Sequence, residues 1–181
     1  IKNGYLVADI SLEFDDQGNI NDNYKIKGLV RNGHISLLKK YNFNKIDFIF
    51  GYEDKNLKFK DINLFLNNKN ISMPELTSTI KNNGYKISGK INNDNIELDQ
   101  SEIDNFTQND LLGLKIKDIT FSSQSDFKFE LARGYKIKNF DIRSDINLNN
   151  LKLINSYELK KFFPNIKKEI VLKNQKIKVK Y

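Results

Sequence analysis

Leu57-Lys58-Phe59-Lys60-Asp61-Ile62-Asn63-Leu64 is the stretch that decides the fold of this chain. Leu57 and Phe59 alternate with Lys58 and Lys60, the two-residue period of a strand with one apolar and one polar face. After Asp61 the alternation slips, and the apolar positions become Ile62 and Leu64. Two adjacent residues must absorb such a slip, as they do in a β-bulge. The octet recurs as Leu114-Lys115-Ile116-Lys117-Asp118-Ile119-Thr120-Phe121 and as Tyr135-Lys136-Ile137-Lys138-Asn139-Phe140-Asp141-Ile142. A shorter motif pairs Tyr24-Lys25-Ile26-Lys27-Gly28 with Tyr85-Lys86-Ile87-Ser88-Gly89. Strands that bend at a repeated place curl a sheet. The fold class predicted is therefore all-β: an elongated, curved antiparallel sheet (a β-taco or groove) with one or two short helices.

The rest of the chain fits that frame. In Tyr5–Phe14 the apolar set is Leu6, Ala8, Ile10, Leu12 and Phe14, set against Asp9, Ser11 and Glu13. Ile46, Phe48, Phe50 and Tyr52 form a second set, and Phe127, Phe129 and Leu131 a third. Tyr24–Arg31, Leu76–Lys81, Tyr85–Ile91 and Ile146–Leu153 read similarly. Asn32-Gly33, Asn83-Gly84, Asn93-Asp94 and Asn149-Asn150 are predicted hairpin turns, since Asn and Gly tolerate the positive φ that type I′ turns need. Turns this closely spaced leave no room for the crossovers of a parallel sheet. One helix is expected near 101–112, where Ser101-Glu102-Ile103-Asp104 has the form of a capping box and Gly113 a stop. A second is expected near 156–163, ending at Pro164. The whole is read as a single segment, 1–181, of a longer chain, because Ile1 begins it and Tyr181 ends it inside a strand pattern.

Chemistry-bearing patterns are sparse. The 181 residues contain no cysteine, so no disulfide, thiolate site or cysteine nucleophile exists. His34 is the one histidine and follows an Asn-Gly pair, which suits a turn-flanking residue. Asp15-Asp16-Gln17-Gly18-Asn19-Ile20-Asn21-Asp22 resembles part of a calcium loop. With Gly18 at position six, however, position twelve is Tyr24 where a bidentate Glu belongs. It reads as an acidic hairpin loop. No phosphate loop, GxSxG elbow or HExxH pair occurs. The expectation is a non-enzymatic chain without metal or cofactor. The net charge of +7 permits anionic partners. Yet in Tyr24–Lys27, Tyr135–Lys138 and Lys176–Lys180 the aromatic or apolar residues and the lysines fall on opposite strand faces. A nucleic-acid stacking platform wants them together, so no nucleic-acid partner is expected.

The octets, the Tyr-Lys-Ile-Ser-Gly-Lys-Ile strand at 85–91, and the ending Phe162-Phe163-Pro164-Asn165-Ile166 followed by Ile177-Lys178-Val179-Lys180-Tyr181 resemble segments of the AsmA-like and TamB-like envelope proteins, the bacterial repeating-β-groove family. The resemblance is diffuse, covers most of the chain, and carries strand shape with no catalytic signature. It implies a periplasmic, taco-shaped antiparallel sheet in a protein anchored to the inner membrane outside this segment. The apolar inside of such a sheet would hold phospholipid acyl chains on their way to the outer membrane. On this reading Leu6, Ala8, Ile10, Leu12, Phe14, Ile46, Phe48, Phe50, Phe127, Phe129 and Leu131 line the groove, while Lys58, Lys60, Lys115 and Lys117 face water. One-faced strands also suit a structural or adhesive β-sandwich, or a carbohydrate-active β domain. Periodicity alone does not separate groove from sandwich, because both need one apolar face per strand.

Overall fold

A computed structural model describes residues 3–21, 24–37, 41–82, 84–104, 114–134, 136–155, 164–165 and 167–181. The strands are β1 (Asn3–Ser11), β2 (Lys25–Leu37), β3 (Tyr41–Glu53), β4 (Asn56–Leu66), β5 (Lys69–Lys81) and β6 (Gly84–Asp99). After the short helix α1 (Gln100–Asp104) come β7 (Leu114–Ala132), β8 (Lys136–Asn155) and β9 (Glu169–Lys180). They form one nine-stranded antiparallel sheet in sequence order, β1 to β9. The expected all-β class with little helix is what the chain adopts.

Two hairpins turn at dipeptides not read as turns from the sequence. Asp54 and Lys55 (φ 49° and 64°) join β3 to β4, and Asn67 and Asn68 (φ 46° and 69°) join β4 to β5. Positive φ at both central residues of a two-residue loop is the type I′ arrangement, whose twist matches that of the strands it joins. Three of the expected Asn turns are absent. Asn32-Gly33 lies inside β2, Asn93-Asp94 inside β6 and Asn149-Asn150 inside β8. The strands therefore run on through these points and are longer than the alternation indicated. Asn83 lies outside the described residues, although Lys81↔Gly84 closes the β5–β6 hairpin at that place.

Left-handed residues lie inside strands instead, and at Asn32, Lys45 and Asp61 the pairing register shifts as in a bulge. Asn32 (φ 50°), Lys45 (φ 49°), Asp61 (φ 52°), Asn95 (φ 46°), Asn139 (φ 51°) and Asn174 (φ 53°) interrupt β2, β3, β4, β6, β8 and β9. The slip read at Asp61 and at Asn139 is thus a backbone feature. Asp118, the matching residue of the second octet, is not left-handed; its carboxylate instead accepts from the Asn150 amide (2.7 Å) and pairs with Lys152 (3.3 Å). Backbone N–H groups at two of the left-handed residues are captured by side chains, Asn32 by Asp47 Oδ1 (2.7 Å) and Asn95 by Ser122 Oγ (3.0 Å). In β5 the slip falls at Pro74. Lys60↔Glu75 and Ile62↔Met73 leave it opposite Asp61, so both strands change parity together and stay in register.

Contacts divide the chain into two units. The first comprises Ile1–Asn92, Gln124–Ser144 and Lys180–Tyr181; the second comprises Asn93–Ser123 and Asp145–Val179. In the first, Ile46, Ile62 and Leu64 are buried, with Phe43, Phe48, Phe59, Met73 and Leu76 among the half-buried residues packed on them. In the second, Ile96, Ile103 and Leu148 are buried, and the buried Ser123 hydroxyl accepts from the Asn93 amide at 3.0 Å. The helix is capped two residues before the expected Ser101. Asp99 Oδ1 accepts from Glu102 N (2.9 Å) and Glu102 Oε2 from Asp99 N (3.1 Å), so the reciprocal capping box is Asp99–Glu102 and not Ser101–Asp104. Residues 105–112 of that expected helix and all of the expected 156–163 helix lie outside the described residues.

Candidate functional site

The site is one face of the sheet in the first unit. Side chains directly opposite in neighbouring strands point to the same face, so the register traces it row by row. Leu6 stands opposite Val30 and Val30 opposite Phe48. The next row runs Ala8, Gly28, Phe50, Phe59, Leu76, Gly89 across six strands. The row after that runs Ile10, Ile26, Tyr52, Leu57, Ser78, Ile87. Past the bulges the face continues as Ile35↔Phe43↔Leu66, Ile62↔Met73 and Leu64↔Ile71. Because each bulge shifts parity, the same face stays apolar on both sides of it.

Two glycines in the middle row account for the shorter repeat. A Cβ on Gly28 would stand 2.7 Å from Cζ of Phe50, and one on Gly89 would stand 3.0 Å from Cζ of Phe127. In both copies of the Tyr-Lys-Ile-x-Gly motif, a phenylalanine ring occupies the space a side chain would need. Phe127 thereby joins the face, stacked with Phe129 at 6.1 Å, and the line passes on to Phe140 (6.3 Å) and Tyr181 (6.0 Å). In β3 and β4, Phe48 meets Phe50 and Phe59 edge-on at 6.1 Å and 5.4 Å. These are favourable ring geometries.

Much of this face is exposed. Leu6 and Ile10 are 61 % and 62 % accessible, and Ile80, Tyr85, Phe140 and Tyr181 are exposed as well. Among the described residues none of the large side chains is fully buried.

Of the residues singled out in the sequence, Leu6, Ala8, Ile10, Ile46, Phe48, Phe50, Phe127 and Phe129 come together on the face. Leu131 is half-buried on β7, in line with Phe127 and Phe129 by strand parity. Leu12 and Phe14 do not extend β1, which stops at Ser11. Phe14 bridges Ile20 in a separate small hairpin, tied by Asp15. The Asp15 carboxylate accepts from the backbone of Gln17 (2.9 Å) and Asn19 (2.8 Å), and the Asn19 side-chain bond holds its pKa below the ordinary 3.8. Its oxygens serve the turn, as the acidic-loop reading has it. Among the described residues no three His, Cys, Asp or Glu groups are placed to share a metal ion. Phe59, Phe140 and Tyr181 also lie on the face but are not among the groove residues expected from the sequence; only Phe140 sits directly beside a slip, at Asn139.

The opposite face carries the charge, together with exposed Tyr5, Val7 and Ile49. Lys58 and Lys60 lie there, as read from the sequence, and Lys115 and Lys117 in the second unit are exposed. Cross-strand ion pairs join Lys25 to Glu53 (2.7 Å), Lys90 to Glu75 (3.3 Å) and Lys128 to Asp141 (3.1 Å). Glu53 and Asp141 are held below the usual carboxylate range by their lysine hydrogen bonds, and Lys25 above the usual lysine value by Glu53. Tyr24 and Tyr52 stack at 5.2 Å, and the hydrogen bond between their hydroxyls raises the Tyr52 phenol. Compared with family models, curated proteins and solved structures, the chain matches none of them.

Proposed function

We propose that this chain is a β-groove segment of the AsmA-like and TamB-like kind, whose apolar face shields phospholipid acyl chains. In this reading it serves lipid transport between the inner and outer membranes, from a periplasmic protein whose membrane anchor lies outside the segment. The carrying observation is the largely apolar face of the first unit, accessible at Leu6, Ile10, Ile80, Tyr85 and Phe140. Acyl chains satisfy such a face without any directional chemistry, because burial of apolar area drives the contact at about 25 cal/mol per Å². The charged opposite face keeps the same strands wetted on their other side. No step of covalent chemistry is required of any residue.

The test is native mass spectrometry with lipid extraction on the segment purified gently from a bacterial envelope. Phospholipid at near-stoichiometric levels, lost on Phe48→Asp and on Ile10→Asp, is the expected result. Ile10 is exposed, so its replacement leaves the fold intact where Phe48→Asp perturbs packing. A lipid-free mass with a cooperative melt indifferent to added lipid would end the transport reading.

A further inference from the structure

We propose a second binding site, on the charged face, for a phosphate-type anion held between Lys27 and Lys58 over Gly51. Gly51 stands directly opposite Lys27 in β2 and Lys58 in β4, so all three share one row of the face turned away from the apolar rows. Lys60 lies in the next row, opposite Ile49. These residues line a trough of about 350 Å³, whose end is closed by the Lys25–Glu53 pair.

Gly51 is what makes it a trough. The other glycines of β1–β6 have a conformational or steric reason to be glycine. Gly4 and Gly84 have positive φ, Gly28 and Gly89 lie under phenylalanine rings, and Gly33 faces Ile46 at 3.2 Å. Gly51 has no left-handed φ, and the nearest atom to a Cβ built on it is the Ile26 carbonyl oxygen at an ordinary 3.8 Å. Neither backbone nor packing demands a glycine there, and glycine weakens a strand interior. The missing side chain instead leaves a gap flanked by two lysines one strand away on either side, about 5 Å in Cα spacing.

Four lysines (Lys25, Lys27, Lys58 and Lys60) and two carboxylates (Glu53 and Asp54) line the trough, leaving it a net charge of +2, and Asp9 stands opposite Lys27 in β1. Glu53 is engaged by Lys25, and no described carboxylate lies within 4 Å of the Lys27, Lys58 or Lys60 amine. Both Lys27 and Lys58 act on Glu53 through space, which places their positive field over this part of the face. Several ammonium groups around an open floor recognise a compact, multiply charged oxyanion. A phosphate group meets that description, whether free or carried as a lipid headgroup. The site stands apart from the acyl-chain reading, since it lies on the other side of the strands.

The experiment follows backbone amide shifts during titration with inorganic phosphate, at constant ionic strength, for wild type and three variants. Saturable shifts centred on Lys27, Gly51 and Lys58 are expected, with half-saturation at roughly millimolar phosphate. Gly51→Val fills the trough while favouring strand structure, and Lys27→Gln/Lys58→Gln removes the charge; each weakens binding by roughly tenfold or more. Lys81→Gln/Lys86→Gln, an equal charge loss elsewhere, leaves it within about twofold. Co-sedimentation with phosphatidylglycerol vesicles that is lost in the Lys27/Lys58 variant assigns the anion to a headgroup. Phosphate binding without vesicle binding assigns it to a soluble phosphate. Absence of saturable shifts at Gly51, or equal weakening by the control pair, overturns the site.

Discussion

At the residue scale, glycine has two different meanings in this sheet. Gly28 and Gly89 give up a side chain so that Phe50 and Phe127 can lie across their strands. A methyl group there meets both a ring and a backbone oxygen, of Val7 or Glu75. Gly28→Ala and Gly89→Ala should each cost about 1–3 kcal/mol by overpacking. Gly51→Ala, in open space, should be neutral or stabilise by roughly 0.4–1 kcal/mol through the unfolded chain. Urea midpoints of the three variants check this, and equal losses at all three would contradict it. Acid sensitivity also belongs to this scale. The folded pKa values of Asp15, Glu53 and Asp141 are lowered, so their contribution is fully present above the ordinary carboxylate range. It is lost as pH falls through the depressed folded values. The Asn19 amide resonance should therefore report an inflection below pH 3.8, and one at or above 3.8 would show that the carboxylate does not hold the turn.

At the element scale, the bulge is the working unit. Asp61 lets β4 keep Phe59 on one side and Ile62 and Leu64 on the other side of the bulge while all three face the same way. Deleting Asp61 would leave Ile62 and Leu64 on the apolar face by strict alternation, but the slip at Pro74 in β5 would lose its match and the rows beyond it would fall out of register. Cooperative thermal unfolding should then be lost. Asp61→Gly should be tolerated, whereas Asp61→Val, forced to φ 52°, should cost about 1–3 kcal/mol in a thermal or urea melt. Indifference to all three changes would show that the slip has no structural role. This feature was legible in the sequence, because apolar parity changes visibly at Asp61 and Asn139. The turns were not. Asn tolerates positive φ equally in a bulge and in a type I′ turn, which accounts for Asn32; Asn93 and Asn149 keep ordinary strand φ and the strands run through them. Conversely, Asp54-Lys55 reverses the chain with a lysine at φ 64°, a residue that composition does not mark for turns.

At the scale of the whole molecule, the legible part of the site was its parity. Leu6, Ala8, Ile10, Phe48 and Phe50 could be placed on one face from alternation alone. How the rows join across strands was not legible, since register depends on bulges and loop lengths that the alternation does not report. The structure supplies that register and with it a face running from β1 to Tyr181 in the first unit. The central claim is that acyl chains lie on this face. The most direct test is photo-crosslinking with a phospholipid that carries a diazirine midway along one acyl chain, followed by peptide mapping. The account predicts adducts on Leu6, Phe59, Leu76 and Phe140, suppressed by excess unlabelled phospholipid. Adducts on Val7, Ile49 and Lys60 of the opposite face, or labelling that unlabelled phospholipid leaves unchanged, would contradict it.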